Sequence, residues 1–300
     1  MRVLITGATG LIGSSIVGQC HAKGIAVNYL TTSKSKIESR TNYLGFYWNP
    51  SQGEIDVNCI KGVDAIIHLV GASISKRWTN SHKSAIISSR LETTALLHET
   101  VNNNPNTVKQ IISASAIGYY PDSFTNYYTE DEESVSTSFL GKVVQEWEQV
   151  VDTFKTLDIT VSKVRIGVVF SKNGGAFPEL IKPIKYGVGA ALGTGNQWMS
   201  WIHLNDLSSI FLHVLEHRLP GVYNGVAPNP VTNQILTKAI AQKLNKPLFL
   251  PNIPKFVMRL ALGEMHIILF ESQRVSSKKI EQTGFKFEYI NLDMALDVLV

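Results

Sequence analysis

The feature that most constrains this chain is its first thirteen residues. An apolar, strand-forming run, Val3-Leu4-Ile5, stops at Gly7, and further glycines stand at Gly10 and Gly13 as a helical pattern opens over Leu11–Ala22. Strand, glycine turn and helix in that order build a cradle for a pyrophosphate. Gly7 permits the tight turn, Gly10 presents no side chain to the phosphates, and Gly13 lets the helix lie close to the strand. The unbonded amides where the helix starts, around Thr9, Leu11 and Ile12, then face the anion. The spacing is Gly-x-x-Gly-x-x-Gly rather than the stricter Gly-x-Gly-x-x-Gly. Its position, directly after the first strand, therefore carries as much of the argument as the glycines do.

Apolar runs and helical patterns alternate through the first two-thirds of the chain. Strands are expected at 3–5, 26–31, 45–49, 64–70, 109–113 and 160–166, with helices at 11–22, about 81–102 and about 138–156. Continuous apolar strands between helices imply a doubly wound α/β fold, a parallel sheet covered on both faces. The fourth of these strands ends in Leu69-Val70-Gly71-Ala72, so Leu69, Gly71 and Ala72 are expected beside the same nucleotide. After Val169 the texture becomes rich in loops. Residues 1–170 with about 203–226 read as the dinucleotide domain, and about 171–202 with 227–300 as a smaller C-terminal α/β substrate lobe.

The formal net charge is only +4, and basic residues are dispersed, which gives no nucleic-acid signature. No apolar stretch is long enough for a transmembrane helix. The first strand begins at once, with no room for a signal peptide, which points to a cytoplasmic protein. Cys20 and Cys59 lack metal-ligand or Cys-x-x-Cys spacing and read as free buried thiols. The eight histidines show no ligand spacing, so no metal site is expected. There is no Gly-x-Ser-x-Gly elbow and no Walker lysine, which argues against a hydrolase and an ATPase.

The Thr6–Gly13 turn, the strand ending in Gly71-Ala72 and the Ser113-x-Ser115 pair resemble the extended short-chain dehydrogenase/reductase superfamily. A narrower set resembles its atypical "epimerase family" branch: Lys76-Arg77-Trp78, Ser89-Arg90, Ile117-Gly118-Tyr119-Tyr120, Trp147-Glu148, the 198–203 run and Tyr223–Asn233. This resemblance spans nearly the whole chain. It implies a nicotinamide cofactor, a substrate bound across the carboxyl ends of the strands, and pairing of two copies through flanking helices into a homodimer.

The choice of cofactor is read at the end of the second strand, where an acid selects NAD and a cation or hydroxyls suit the 2′-phosphate of NADP. Here stand Thr31-Thr32-Ser33-Lys34, with no acid before Glu38. NADP rather than NAD is expected, with Ser33 and Lys34 as ligands, although the arginine usual in relatives is missing.

Typical members of the superfamily carry a Tyr, a Lys four residues later and a hydroxyl. Lowering the phenol's pKa is the role of the lysine and the oxidised ring. Ser115 supplies the hydroxyl and Lys142 the lysine, but Ser138 and Phe139 occupy the tyrosine's place. Three readings stay open. Tyr119 or Tyr120 replaces the missing phenol; the proton comes from water or from His203; or the chain binds NADP without turnover. In the first reading the chain is an oxidoreductase or epimerase-like enzyme acting on a small polar substrate such as a nucleotide sugar. In the last it is a regulator that reports redox state. Arg77, Trp78, Arg90, Trp201 and His203 are the candidate substrate contacts.

Overall fold

The computed structural model describes all 300 residues. Its strands are β1 (Arg2–Thr6), β2 (Ala26–Thr31), β3 (Ser39–Arg40), β4 (Tyr43–Asn49), β5 (Glu54–Ile55), β6 (Ala65–His68), β7 (Gln110–Ala116), β8 (Tyr127–Tyr128), β9 (Thr160–Ile166), β10 (Val168–Ser171), β11 (Gly174–Gly175), β12 (Trp198–Met199), β13 (Trp201–His203), β14 (Gly221–Gly225), β15 (Val231–Thr232) and β16 (Arg274–Val275). Its α-helices are α1 (Leu11–Ala22), α2 (Asn80–Asn103), α3 (Phe139–Asp152), α4 (Phe177–Lys185), α5 (Leu204–Glu216), α6 (Asn233–Lys243), α7 (Lys255–Leu262), α8 (Lys278–Gln282) and α9 (Leu292–Leu299).

A nine-stranded sheet runs in the order β14-β9-β7-β6-β1-β2-β4-β3, with β5 paired to β4. All its pairs are parallel except those that β3 and β5 make with β4. The chain winds outward from β1 through β2 to β4, then returns to the other side of β1 with β6, β7, β9 and β14. The direction of winding reverses between β1 and β6, and a crevice opens there at the carboxyl ends of the strands. The apolar runs that predict these strands form the main core, with Val3, Leu4, Ile5, Ile66, Ile67, Ile111 and Ile112 all fully buried. The expected strand 64–70 is shorter than its apolar run, because the backbone leaves the sheet at Leu69 to enter the crevice loop. β7 instead runs on to Ala116 and so carries Ser115 in its last turn.

A second core of Phe170, Phe177, Trp201, Leu236, Ile240 and Leu296 joins β10 and β13 to α4, α6 and α9. Helix α4 lies where the glycine-rich texture reads as loop. Pro178 is tolerated because it occupies the first turn, and Pro183 is carried inside the helix while Phe177 and Ile184 bury their side chains. Cys20 and Cys59 are free and buried. No helix is long and apolar enough to cross a membrane.

Candidate functional site

The glycine turn joins β1 to α1 at the crevice. Gly7 adopts a left-handed conformation (φ 70°), and its carbonyl accepts from the Gly10 amide at 2.9 Å. A Cβ placed on Gly13 would lie 2.1 Å from the Gly7 oxygen, and one on Gly10 3.2 Å from the same atom. Glycine at position 13 is thus required by the packing of helix against turn. Gly10 caps α1 without a side chain, and the first turn holds no acid. The amides of Leu11, Ile12 and Gly13 are left to an outside acceptor, and an anion fits there. Thr9 and Gly10 are exposed at the turn's tip.

Across the crevice the Leu69 amide donates to Thr6 Oγ1 at 3.0 Å, and the Ala72 amide donates to Ser89 Oγ at 2.8 Å. Arg90 presses against Gly71, where a Cβ would meet its Cζ at 2.8 Å. Its Nη1 donates to the Ile86 carbonyl at 2.8 Å, its guanidinium lies over Trp147 at 5.0 Å, and its buried Nε has no partner. No carboxylate pairs with it, and burial lowers its pKa to about 10. Arg90 is an unneutralised cation at the edge of the nucleotide crevice.

At the end of β2, Ser33 shares a hydrogen bond with Ser35 Oγ at 2.9 Å, and the exposed Lys34 holds its ammonium 4.8 Å from the centre of the Tyr47 ring. Glu38, the nearest acid, is paired with Arg40 at 2.6 Å. The loop therefore offers hydroxyls and a cation with no free carboxylate among them.

A row of polar residues crosses the carboxyl end of the sheet. Ser115 on β7, Arg165 on β9 and Asn224 on β14 are register partners, so their side chains share one face. From α3 above, Glu148 closes the row. Ser115 Oγ donates to its Oε1 at 2.6 Å, while Arg165 grips it in a fork, Nε to Oε1 at 2.8 Å and Nη2 to Oε2 at 3.0 Å. Burial works against the charge on Arg165, but the Glu148 contacts outweigh it and raise its pKa. The Arg165 guanidinium also lies 3.5 Å from the centre of the Tyr119 ring.

Neither Glu148 nor Arg165 was among the residues expected at the site. The signal was present: charged residues, Lys163 and Arg165, inside the buried strand Val161–Ile166, and an acid beside Trp147 on the buried face of an amphipathic helix, each demand a partner.

Several expected site residues lie elsewhere. Tyr120 is fully buried, donates its hydroxyl to Asn224 Oδ1 at 2.7 Å, and has its phenol pushed up to about 12 by burial. Its hydroxyl is committed to Asn224. Lys142 stands on the solvent face of α3 with Gln145, Glu146 and Gln149, because the opposite face, Val143, Val144, Trp147 and Val151, is buried. Its side chain has no hydrogen-bond or ion-pair partner in the protein. Ser138 caps α3 by accepting from the Gly141 amide at 3.2 Å, which accounts for a serine in the tyrosine's usual place.

Trp201 is stacked on Phe170 inside the second core. His203 caps α5 through its Nδ1, which accepts from the Asn205 amide at 3.2 Å, and burial lowers its pKa. Both leave the set of substrate contacts. Trp78 is buried, with its Nε1 donating to the Ile74 carbonyl, while Arg77 is exposed near Gly263. Tyr119 is half-buried, and its hydroxyl has no partner in the protein.

Beyond the crevice lies a cavity of about 740 Å³ between α4, α6, α7 and the 263–269 turn. Its wall is mainly apolar, with Leu180, Ile184, Leu236, Ile240, Met258 and Ile268 among its lining, and no lysine, arginine or histidine lines it. Gly175 connects it to the nucleotide turn, since a methyl there would lie 3.4 Å from the Leu11 side chain.

Residues 3–224 match the model of the NAD dependent epimerase/dehydratase family, and residues 253–299 match a domain model of unknown function. The epimerase family protein of Staphylococcus aureus (strain MRSA252) is 34% identical over 300 residues, covering 100% of this chain and 99% of that protein. The crystal structure of the human epimerase family protein SDR39U1 with NADPH superposes with a TM-score of 0.86 at 28% identity, over 100% of this chain and 99% of that one. The nucleoside-diphosphate sugar epimerase of Corynebacterium glutamicum gives a TM-score of 0.78 at 29% identity, over 99% of this chain and 57% of that one. The glycine turn at the point where the sheet reverses its winding, and these likenesses over the full length, agree: this chain belongs to the NAD-dependent epimerase/dehydratase family.

Proposed function

We propose that this chain is an NADP(H)-dependent oxidoreductase. The observation that carries the reading is the pairing of an uncapped, glycine-built α1 terminus with a β2 loop that presents hydroxyls and cations, Ser33 and Lys34 among them, and no free carboxylate. The human relative crystallised with NADPH supports the choice of dinucleotide. The amides of Leu11, Ile12 and Gly13 would hold the pyrophosphate, Ser33 and Lys34 the 2′-phosphate, and the Leu69–Ala72 backbone the flank of the nucleotide, with Arg90 behind it. Hydride chemistry is what a bound nicotinamide supplies.

The remaining chemistry belongs to the chain. Tyr119 is the phenol left with an unengaged hydroxyl at the end of β7, and it delivers or accepts the proton at the substrate oxygen. Arg165, packed against its ring, holds the phenol in place. Ser115 has committed its proton to Glu148. Its oxygen therefore accepts a hydrogen bond from a substrate hydroxyl and does not donate one to a carbonyl.

Titration with NADPH and NADH, read by nicotinamide fluorescence, tests the reading. NADPH should bind at least tenfold tighter than NADH, and Lys34→Glu should erase that preference. Saturable uptake of neither nucleotide overturns it. The rival reading, a redox-reporting regulator without turnover, draws on the absence of a Tyr-x-x-x-Lys pair. It wins if NADPH binds tightly and is never oxidised by any carbonyl or nucleotide-sugar compound.

A further inference from the structure

We infer that the 740 Å³ cavity receives the apolar body of an uncharged substrate, an aliphatic or aromatic alcohol or its carbonyl counterpart, and that it excludes nucleotide sugars. The volume suits a ligand of drug-like size. A nucleotide sugar carries a diphosphate, and burying those charges requires cations or converging amide donors. None is present, because the cavity's one charged residue is Glu179, an acid exposed at the rim. Two of the wall's polar side chains are already engaged. Asn233 Oδ1 accepts from the Leu192 amide at 2.8 Å, and Thr237 donates to the Asn233 carbonyl at 2.8 Å. What remains is an aliphatic wall of Leu180, Ile184, Leu236, Ile240, Met258 and Ile268. Its inner end reaches Leu11 through Gly175 and Ser75 beyond β6, so a bound chain would extend from the nucleotide crevice outward.

The inference rests on the preceding reading for the identity of the reacting group, but its test does not use the nucleotide. The full chain is titrated with Nile red, and the dye is displaced with straight-chain alcohols from butanol to decanol and with UDP-glucose. Each added methylene should tighten displacement about threefold to fourfold until the cavity is full, and UDP-glucose should displace nothing. Met258→Lys, on the half-buried inner face of α7, should weaken dye uptake at least tenfold, as should Leu262→Lys one turn further on. Leu260→Ser should leave uptake unchanged, since Leu260 is 78% exposed on the outer face of that helix. Displacement by UDP-glucose, a response independent of chain length, or loss of uptake in Leu260→Ser with retention in both lysine variants overturns the inference. Alcohol binding without NADPH binding would sink the cofactor reading and leave this one standing. NADPH binding without alcohol binding does the reverse.

Discussion

The Ser115 hydroxyl donates to Glu148 at 2.6 Å, and the same carboxylate is forked by Arg165. Three polar side chains, each less than a tenth exposed, thus form one closed unit under the crevice, with the Lys163 ammonium 3.8 Å from Glu148 Oε2. Removing one member leaves another stranded. Glu148→Gln should destabilise the fold by about 3–5 kcal/mol, because Arg165 then stays buried without its counter-charge. The double variant Glu148→Met/Arg165→Met should recover most of that loss. Urea unfolding of the two variants checks this, and equal losses in single and double variants would show that the pair is not coupled.

The two glycines of α1 have opposite tolerances. Gly13→Ala forces a methyl onto the Gly7 oxygen, so the helix must move away from the turn. A loss of about 1–3 kcal/mol is expected, together with loss of NADPH uptake as the amides are displaced. Gly18 has open space where a Cβ would sit and lies mid-helix, so Gly18→Ala should stabilise by about 0.5–1 kcal/mol and leave uptake intact. Thermal melts and nucleotide titration of both variants separate the outcomes. A bound nucleotide in Gly13→Ala with wild-type affinity contradicts the cradle.

The sheet was legible in the sequence because buried parallel strands are near-continuous apolar runs and the glycines punctuate them. The nucleotide turn was legible for the same local reason. Ser115 could be placed at the end of a strand, but its partner could not. Glu148 is thirty-three positions away on a helix, and only register across β7 and β9 brings Arg165 to both. Tyr120 and Lys142 misled because residue type and spacing say nothing about which way a side chain faces. One turned inward to Asn224 and the other out to solvent. Helix α4 was hidden by its two prolines, and with it one wall of the cavity, whose lining comes from six separate stretches of the chain.

His68 sets a dependence on pH. It lies fully buried in the sheet, where the Leu69 amide donates to Thr6 Oγ1, the Thr6 hydroxyl to Nδ1, and Nε2–H to Thr94 Oγ1, whose own proton goes to the Arg90 carbonyl. That chain of donors fixes the neutral imidazole. Burial first, and then Arg90, lower its pKa from 6.5 to about 3. The unfolded chain therefore binds a proton that the folded chain refuses. The contribution is complete above pH 6.5 and is lost as pH falls from there toward 3, by about 1.4 kcal/mol per pH unit at its steepest. His203 and His213, also lowered by burial, act in the same sense, whereas the raised carboxyls of Glu130, Asp206 and Glu271 act against it. Comparing His68→Gln with the parent cancels those other groups. Gln accepts from Thr6 and donates to Thr94 without titrating, so its stability should fall less steeply between pH 6 and 4.5 in urea titrations. Parallel curves would mean that His68 is protonated in place.

Adjacent tyrosines divide structure from chemistry. Tyr120→Phe removes the donor to Asn224 and leaves its buried Oδ1 without a partner, so about 1–3 kcal/mol of stability should go while turnover changes little. Tyr119→Phe removes a hydroxyl with no protein partner, so stability and NADPH affinity should hold. Its rate, followed by loss of NADPH absorbance with octanal as substrate, should fall about 10²–10⁴-fold. Lys142→Ala, on the outer face of α3, should move none of the three. If Tyr119→Phe keeps the parent's rate, the proton comes from water, and the phenol beside Arg165 serves packing alone.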